Sequence, residues 1–139
     1  GRTKLFRKVF SDGPPVSSEN ARYGLGVTTP REMVRLLGKI YDGVIGDAEL
    51  CARIRRYLAA QQYRDGIPRL LPPEWTYEGK TGAVDTVRND VGFISSPTCG
   101  TIALAVFCSH LPRPLWTADN PGLLAIARVA QAVAAELAG

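Results

Sequence analysis

The connection Ser96-Pro97-Thr98-Cys99-Gly100 constrains this chain more than any other stretch. It separates two apolar, strand-forming runs, 89–95 and 101–109. Parallel pairing of neighbouring strands needs a crossover of about a dozen residues or more, so a link this short, built on proline and glycine, leaves an antiparallel hairpin. A third run, 75–80, comes shortly before, and the spacing predicts a three-stranded antiparallel meander.

Helices precede and follow it. Thr29-Pro30-Arg31-Glu32 supplies an N-cap threonine, a proline at the first helical position and a glutamate three residues after the cap, which predicts a reciprocal capping box. Met33, Leu36, Leu37 and Ile40 then recur at helical spacing, and Gly43 suits the stop. Asp47 caps a second helix with Leu50, Ile54, Tyr57 and Leu58 as its apolar stripe, and the reading leaves Arg53, Arg55 and Arg56 to solvent. The segment 65–73 reads as a rigid, partly buried loop. Asn120-Pro121 opens a final helix whose Leu123, Ile126, Ala127, Ala130, Val133 and Leu137 share a face. At the other end, Leu5, Phe6, Val9 and Phe10 predict the tail of a helix, followed by a long loop over 11–26 rich in glycine, proline and serine. The order gives an α+β class with helices on one side of a small antiparallel sheet.

A chain of 139 residues supports one core, so a single domain is expected. The net charge of +4 comes from scattered arginines with few aromatics between them, which argues against nucleic-acid binding. Cys51, Cys99 and Cys108 lack C-x-x-C spacing, and with His110 as the one histidine they supply no zinc cluster and no disulfide framework. No cofactor is implied. The apolar runs, such as 101–108, are too short for a membrane span, and residues 1–10 lack the apolar centre of a signal peptide. Ser109 and His110 are adjacent at the end of a strand, where alternation directs them to opposite faces, so they are not expected to pair.

Chemistry concentrates at Lys80-Thr81-Gly82. An ammonium beside a hydroxyl at a strand end attracts a carboxylate, and a glycine lets a ligand approach the backbone. The Ala83 amide follows, available to a developing oxyanion.

This K-T-G resembles one of three signatures of the serine β-lactamase and penicillin-binding protein group, whose others are S-x-x-K and S-D-N. Its surroundings agree. TTPREMVRLL, beginning at Thr28, looks like the T-T-P helix start of class A β-lactamases, at the distance that family keeps before its lysine. RNDVGFI, TIALAVF and the alanine-rich last helix are similar to its closing elements in the same order, so the resemblance runs from Thr28 to Leu137. It implies an α/β sandwich, an antiparallel sheet flanked by helices, with a serine that forms an acyl-enzyme. In it Lys80 and Thr81 would hold the substrate carboxylate, with Lys80 tuning the proton relay. Gly82 would permit close approach, and Ala83 would give an oxyanion-hole amide. Arg88 would steady the carboxylate, the alternative being an ordinary exposed arginine. An extracytoplasmic location and a β-lactam or peptidoglycan-like substrate are implied with it.

The departures are equally definite. The lysines are Lys4, Lys8, Lys39 and Lys80, and none follows a serine by three positions. Ser18-Glu19-Asn20 spells S-x-N but stands too close to the T-T-P helix to be the second signature. Glu19 with Asn20 beside it does not have the spacing of the family's deacylating glutamate. The reading therefore expects a C-terminal portion of one catalytic domain, incomplete here: 1–26 a helix end and Ω-like loop, 27–66 a helical part, 74–139 the sheet and last helix. The N-terminal portion of the same domain, or a complementing chain, would bring the nucleophile. Rival readings are a DD-peptidase-like or esterase-like hydrolase with slow deacylation, and a noncatalytic module that captures an anionic ligand.

Overall fold

The computed structural model describes residues 1–6 and 17–139. Strand β1 (Lys4–Leu5) pairs antiparallel with β2 (Gly26–Val27), and a six-residue helix, α1 (Ser18–Tyr23), lies between them. The helix tail expected over 1–10 is therefore not formed over residues 1–6, and its remaining positions, Val9 and Phe10, lie outside the described residues. An isolated short amphipathic turn cannot offset its own nucleation, whereas β1 gains a ladder continued by the Phe6 amide donating to the Leu25 carbonyl at 2.8 Å. Part of the expected long loop is nevertheless helical: the Ser17 carbonyl accepts the Ala21 amide at 2.9 Å, closing the first turn of α1.

Helix α2 (Pro30–Tyr41) begins as its sequence requires, with extended Thr29 accepting the Glu32 amide at 3.3 Å. The reciprocal half of the capping box is absent. The Glu32 carboxylate accepts instead from the Thr3 hydroxyl at 2.6 Å and from the Arg2 amide, contacts that hold its pKa below the usual carboxylate range and fasten the N-terminal segment to α2. Helix α3 (Ala48–Ala59) is capped by Asp47, which accepts the Leu50 amide at 2.7 Å. Its stripe is rotated from the expected one. Cys51 is buried while Tyr57 is exposed, and Arg55 is turned inward onto the sheet.

Strands β3 (Thr76–Val84), β4 (Val87–Ser96) and β5 (Gly100–Cys108) form the meander, in the order β3-β4-β5, all antiparallel. Helix α4 (Pro121–Ala138) covers one face, where Ile126, Ala130 and Ala134 pack with Tyr77 and Ile94, joined by Ile102, Leu104 and Val106. The other face belongs to α2 and α3: Leu37, Met33 and Leu58 pack on Val91 and Phe93, with Ala103, Ala105 and Phe107. Helices thus lie on both faces, not on one. The reason is in β4, where 91–94 are buried without a break, so both of its faces carry apolar surface that must be covered. A 3₁₀ turn (Ile67–Leu70) packs against α4 and places wholly buried Ile67 at the rim of that core. Helix α4 is long and apolar enough by composition to cross a membrane, which the run-length reading missed. Its stripe of Ile126, Ala127, Ala130 and Ala134 is fully buried, packed in this fold against the sheet and the 3₁₀ turn.

Candidate active site

Lys80, Thr81 and Gly82 lie inside β3 rather than at its end. The strand expected to stop at residue 80 runs on to Val84, pairing Lys80 with Val91, Thr81 with Asp90 and Gly82 with Asn89. A two-residue turn, Asp85-Thr86, closes the hairpin, and Asp85 takes the positive φ of 30° that so tight a connection demands. In such a hairpin the pair beside the turn, Val84 and Val87, exchanges hydrogen bonds, and the pairs alternate from there. Ala83 opposite Arg88 and Thr81 opposite Asp90 are then the open pairs. Because β3 is the edge of its sheet, the Ala83 amide points away from β4, off that edge.

A cavity of about 400 Å³ opens beside this edge. It is lined by Lys80, Thr81, Ala83 and Arg88 of the sheet, by Tyr63, Asp65 and Gly66 just before the 3₁₀ turn, and by residues 115–118. Four of the five residues singled out from sequence are thus brought to one cavity. Gly82 does not line it, yet a Cβ there would meet nothing within 4 Å, so packing does not require the glycine. Lys80 and Thr81, being consecutive, leave the strand on opposite faces, and the Lys80 Nζ bends back to donate to the Thr81 carbonyl.

Arg88 is not an ordinary exposed arginine, since it is only 2% exposed. Its guanidinium donates to the carbonyls of Asp85 at 3.0 Å, Val87 at 2.6 Å and Leu115 at 2.7 Å. The exposed Trp116 ring lies over it. The arginine therefore organises the cavity's end while its plane stays next to the space a ligand would occupy.

Beneath the wall is a cluster that the sequence reading did not identify. Asp90, wholly buried, accepts the Ile67 amide at 2.8 Å on one oxygen and the Tyr77 hydroxyl on the other. Burial raises its pKa to about 6 despite those donors, and burial likewise pushes the Tyr77 phenol up. Space for the cluster comes from missing side chains: a Cβ on Gly66 would stand 2.3 Å from the Asp90 carboxylate, and one on Gly79 would stand 2.1 Å from the Tyr77 oxygen. Glycines inside strand patterns were the available signal, since they mark close approach. On the neighbouring position Asn89 Oδ1 is buried with no partner among the described residues.

Ser109 Oγ and His110 Nδ1 do meet, at 3.0 Å, against the expectation from strand alternation. β5 ends at Cys108 and His110 adopts a φ of 59°, so alternation no longer applies. Both are exposed, and neither lines the cavity. Glu19 sits on α1, its carboxylate held by Lys4 Nζ at 2.9 Å, and it does not line the cavity either. Among the described residues, no group of three or more His, Cys, Asp or Glu side chains is placed to hold a metal.

Comparison with solved structures returns the same architecture. A β-lactamase from Sphaerobacter thermophilus is 28% identical, with a TM-score of 0.68 over 83% of this chain and 43% of that one. The TLA-3 extended-spectrum β-lactamase is 26% identical, with a TM-score of 0.72 over 86% of this chain and 45% of its own. PBP-A, at 21% identity and a TM-score of 0.70 over 91% of this chain and 45% of its own, shares the fold. The chain spans less than half the length of each. No curated protein matches it. The model of the beta-lactamase enzyme family matches residues 3–137, nearly the whole sequence, and the chain belongs to that family.

Proposed function

We propose that the chain forms the substrate-binding wall of a serine β-lactamase-like hydrolase of the class A type. The observation that carries this reading is the convergence of Lys80, Thr81 and Ala83 on one cavity at a sheet edge that has no strand partner among the described residues. The Lys80 ammonium and the Thr81 hydroxyl bind the carboxylate of a β-lactam. The Ala83 amide, pointing off the edge, donates to the carbonyl oxygen as it becomes an oxyanion, a contact of a kind whose removal costs about 100- to 1,000-fold in rate. Arg88 fixes the end of the cavity and adds positive potential at the carboxylate.

The attacking group in this proposal is a serine outside the 139 residues, in an N-terminal portion of the same domain or in a complementing chain. Its oxygen bonds to the β-lactam carbonyl carbon, the ring C–N bond breaks and the ring nitrogen takes the proton. Water then hydrolyses the ester and restores the serine. Lys80, unpaired with any carboxylate among the described residues, tunes that proton traffic by its charge. Residues 1–139 alone hydrolyse nothing, and the complete enzyme works outside the cytoplasm.

One observation favours a variant of this reading with slow ester hydrolysis, as in a penicillin-binding DD-peptidase-like protein. Glu19, the one glutamate of the 11–26 segment, lacks the spacing of a deacylating base, is bound to Lys4 and does not line the cavity. Intact mass of the full-length protein before and after a penicillin tests both. A covalent adduct with many turnovers of a chromogenic cephalosporin supports the lactamase. One lasting adduct per chain supports slow deacylation, and no adduct in any condition removes the hydrolase reading.

A further inference from the structure

We propose that Asp90 is a positioning residue for the cleft, holding the 63–66 wall in register with the strand that carries Lys80 and Thr81. For its effect on substrate the proposal rests on the β-lactam reading above.

Asp90 stands opposite Thr81 in the β3–β4 ladder, directly under the candidate carboxylate site. One of its oxygens takes the Ile67 amide at 2.8 Å. Ile67 follows Gly66, and Tyr63, Asp65 and Gly66 line the same cavity as Lys80 and Thr81. The other oxygen takes the Tyr77 hydroxyl, which belongs to β3 itself. A single buried carboxylate on β4 thus grips two segments that carry cavity-lining residues: the strand through Tyr77, the 63–66 loop through Ile67.

Two features argue against Asp90 as mere core filling. Volume alone is met better by an apolar residue, because burying a carboxylate with no bonded cation is costly. Lys80 is the cation whose charge acts on it, and the Lys80 ammonium is occupied with the Thr81 carbonyl. Secondly, Gly66 and Gly79, on separate elements, each leave out a side chain that would collide with this one cluster. The other contacts of the 63–66 segment among the described residues are the Tyr63 amide donating to Gln61 Oε1 at 3.0 Å, the Arg69 amide donating to the Gly66 carbonyl at 3.1 Å and Arg64 over the Tyr77 ring, and none of these reaches β4. Without the anchor, the distance between the loop and Thr81 is set by packing and by the exposed Arg64 over the Tyr77 ring.

The test uses the full-length enzyme carrying this segment. Asp90→Leu keeps the volume and removes both acceptors, whereas Asp90→Asn keeps an acceptor for Ile67. A hydrogen bond to a charged acceptor is worth roughly 1.5–3 kcal/mol, so Asp90→Leu should raise KM for a chromogenic cephalosporin about tenfold or more, with kcat changed less than about twofold. Amide exchange at Ile67 should accelerate by a similar factor while other core amides stay protected, and Asp90→Asn should restore both readouts to within about twofold. If Asp90→Leu does not fold, Gly66→Ala presses the loop away from an intact Asp90 and should give the same paired signature. Unchanged KM and Ile67 exchange, or a uniform loss of protection with kcat falling alongside, overturns the proposal. A wild-type enzyme that neither turns over nor is acylated refutes the β-lactam reading instead, and Ile67 exchange then decides the anchor alone.

Discussion

The Arg88 guanidinium lies 4.4 Å from the centre of the Trp116 ring, so a nearly buried cation is roofed by an exposed aromatic at the end of the candidate cleft. Such a contact contributes about 1 kcal/mol at a partly exposed site, and the three carbonyl bonds add more. Trp116→Ala should therefore lower stability by about 1 kcal/mol in chemical denaturation. Arg88→Lys should cost roughly 2–3 kcal/mol, because an ammonium cannot satisfy three carbonyls and stack as well. Acrylamide quenching offers a check on the roof: Trp116 should become more accessible in Arg88→Lys, while buried Trp75 stays shielded.

Asp90 sets a pH dependence of unusual sign. Its carboxyl titrates at about 6 in the fold against 3.8 for the ordinary group, with burial as the largest cause. A raised folded pKa means that the native state binds the proton more tightly, so the contribution is complete below the unfolded pKa and is lost as pH rises through about 6. Asp90→Asn has no such titration. Wild type should lose roughly 3 kcal/mol relative to this variant between about pH 4 and pH 7, the value of a shift near two units. Denaturation curves of both proteins across that range measure it, and a wild type that instead gains stability with pH would show that the hydrogen bonds outweigh burial.

What was legible in the sequence follows the range of the interaction. Thr29, Asp47 and Asn120 cap helices where expected because a cap is satisfied within three residues. The β4–β5 hairpin was fixed by the length of one link. Lys80 and Thr81, singled out by residue type, do line one cavity, although their place inside the strand was missed because glycine and lysine are poor strand formers and the ladder with β4 overrides that preference. The reciprocal capping box failed because Glu32 found partners 29 and 30 positions away. The Asp90 cluster was invisible for the same reason, joining residues from two strands and a 3₁₀ turn.

Arg55 gives the clearest case of a local reading overruled by a distant partner. Expected on a solvated face, it makes two bonds of 2.8 Å to the Glu78 carboxylate on β3 and lies over both Tyr41 and Phe93. Glu78 shares its strand face with Lys80, so this pair clamps α3 to the strand that bears the candidate site. Because the arginine side chain is 33% exposed, the pair is partly screened. Arg55→Ala should cost about 1–2 kcal/mol, more than a surface bridge, since the stacking is lost with it. Arg53→Ala, on the exposed side of the same helix, should cost less than about 0.5 kcal/mol, and a thermal melt of the two variants separates them.

Asn120 links the last helix to the cleft. Its Oδ1 accepts the Gly122 amide at 2.8 Å as the α4 cap, and its Nδ2 donates at 2.7 Å to the Leu115 carbonyl that also receives Arg88. Capping and cavity geometry therefore meet at one fully buried side chain. Asn120→Ser retains a cap acceptor and loses the reach to Leu115, so it should cost about 1 kcal/mol. Asn120→Ala loses both and should cost about 2–3 kcal/mol. If the Leu115 bond matters to the cleft, both variants will also loosen Trp116 from Arg88, read as greater quenching of its fluorescence at a pH and temperature where the protein remains folded. An Asn120→Ser variant as stable as wild type would show that the cap carries the whole effect and that α4 and the cleft are mechanically separate, whereas equal loss in the two variants would assign the whole effect to the Leu115 bond.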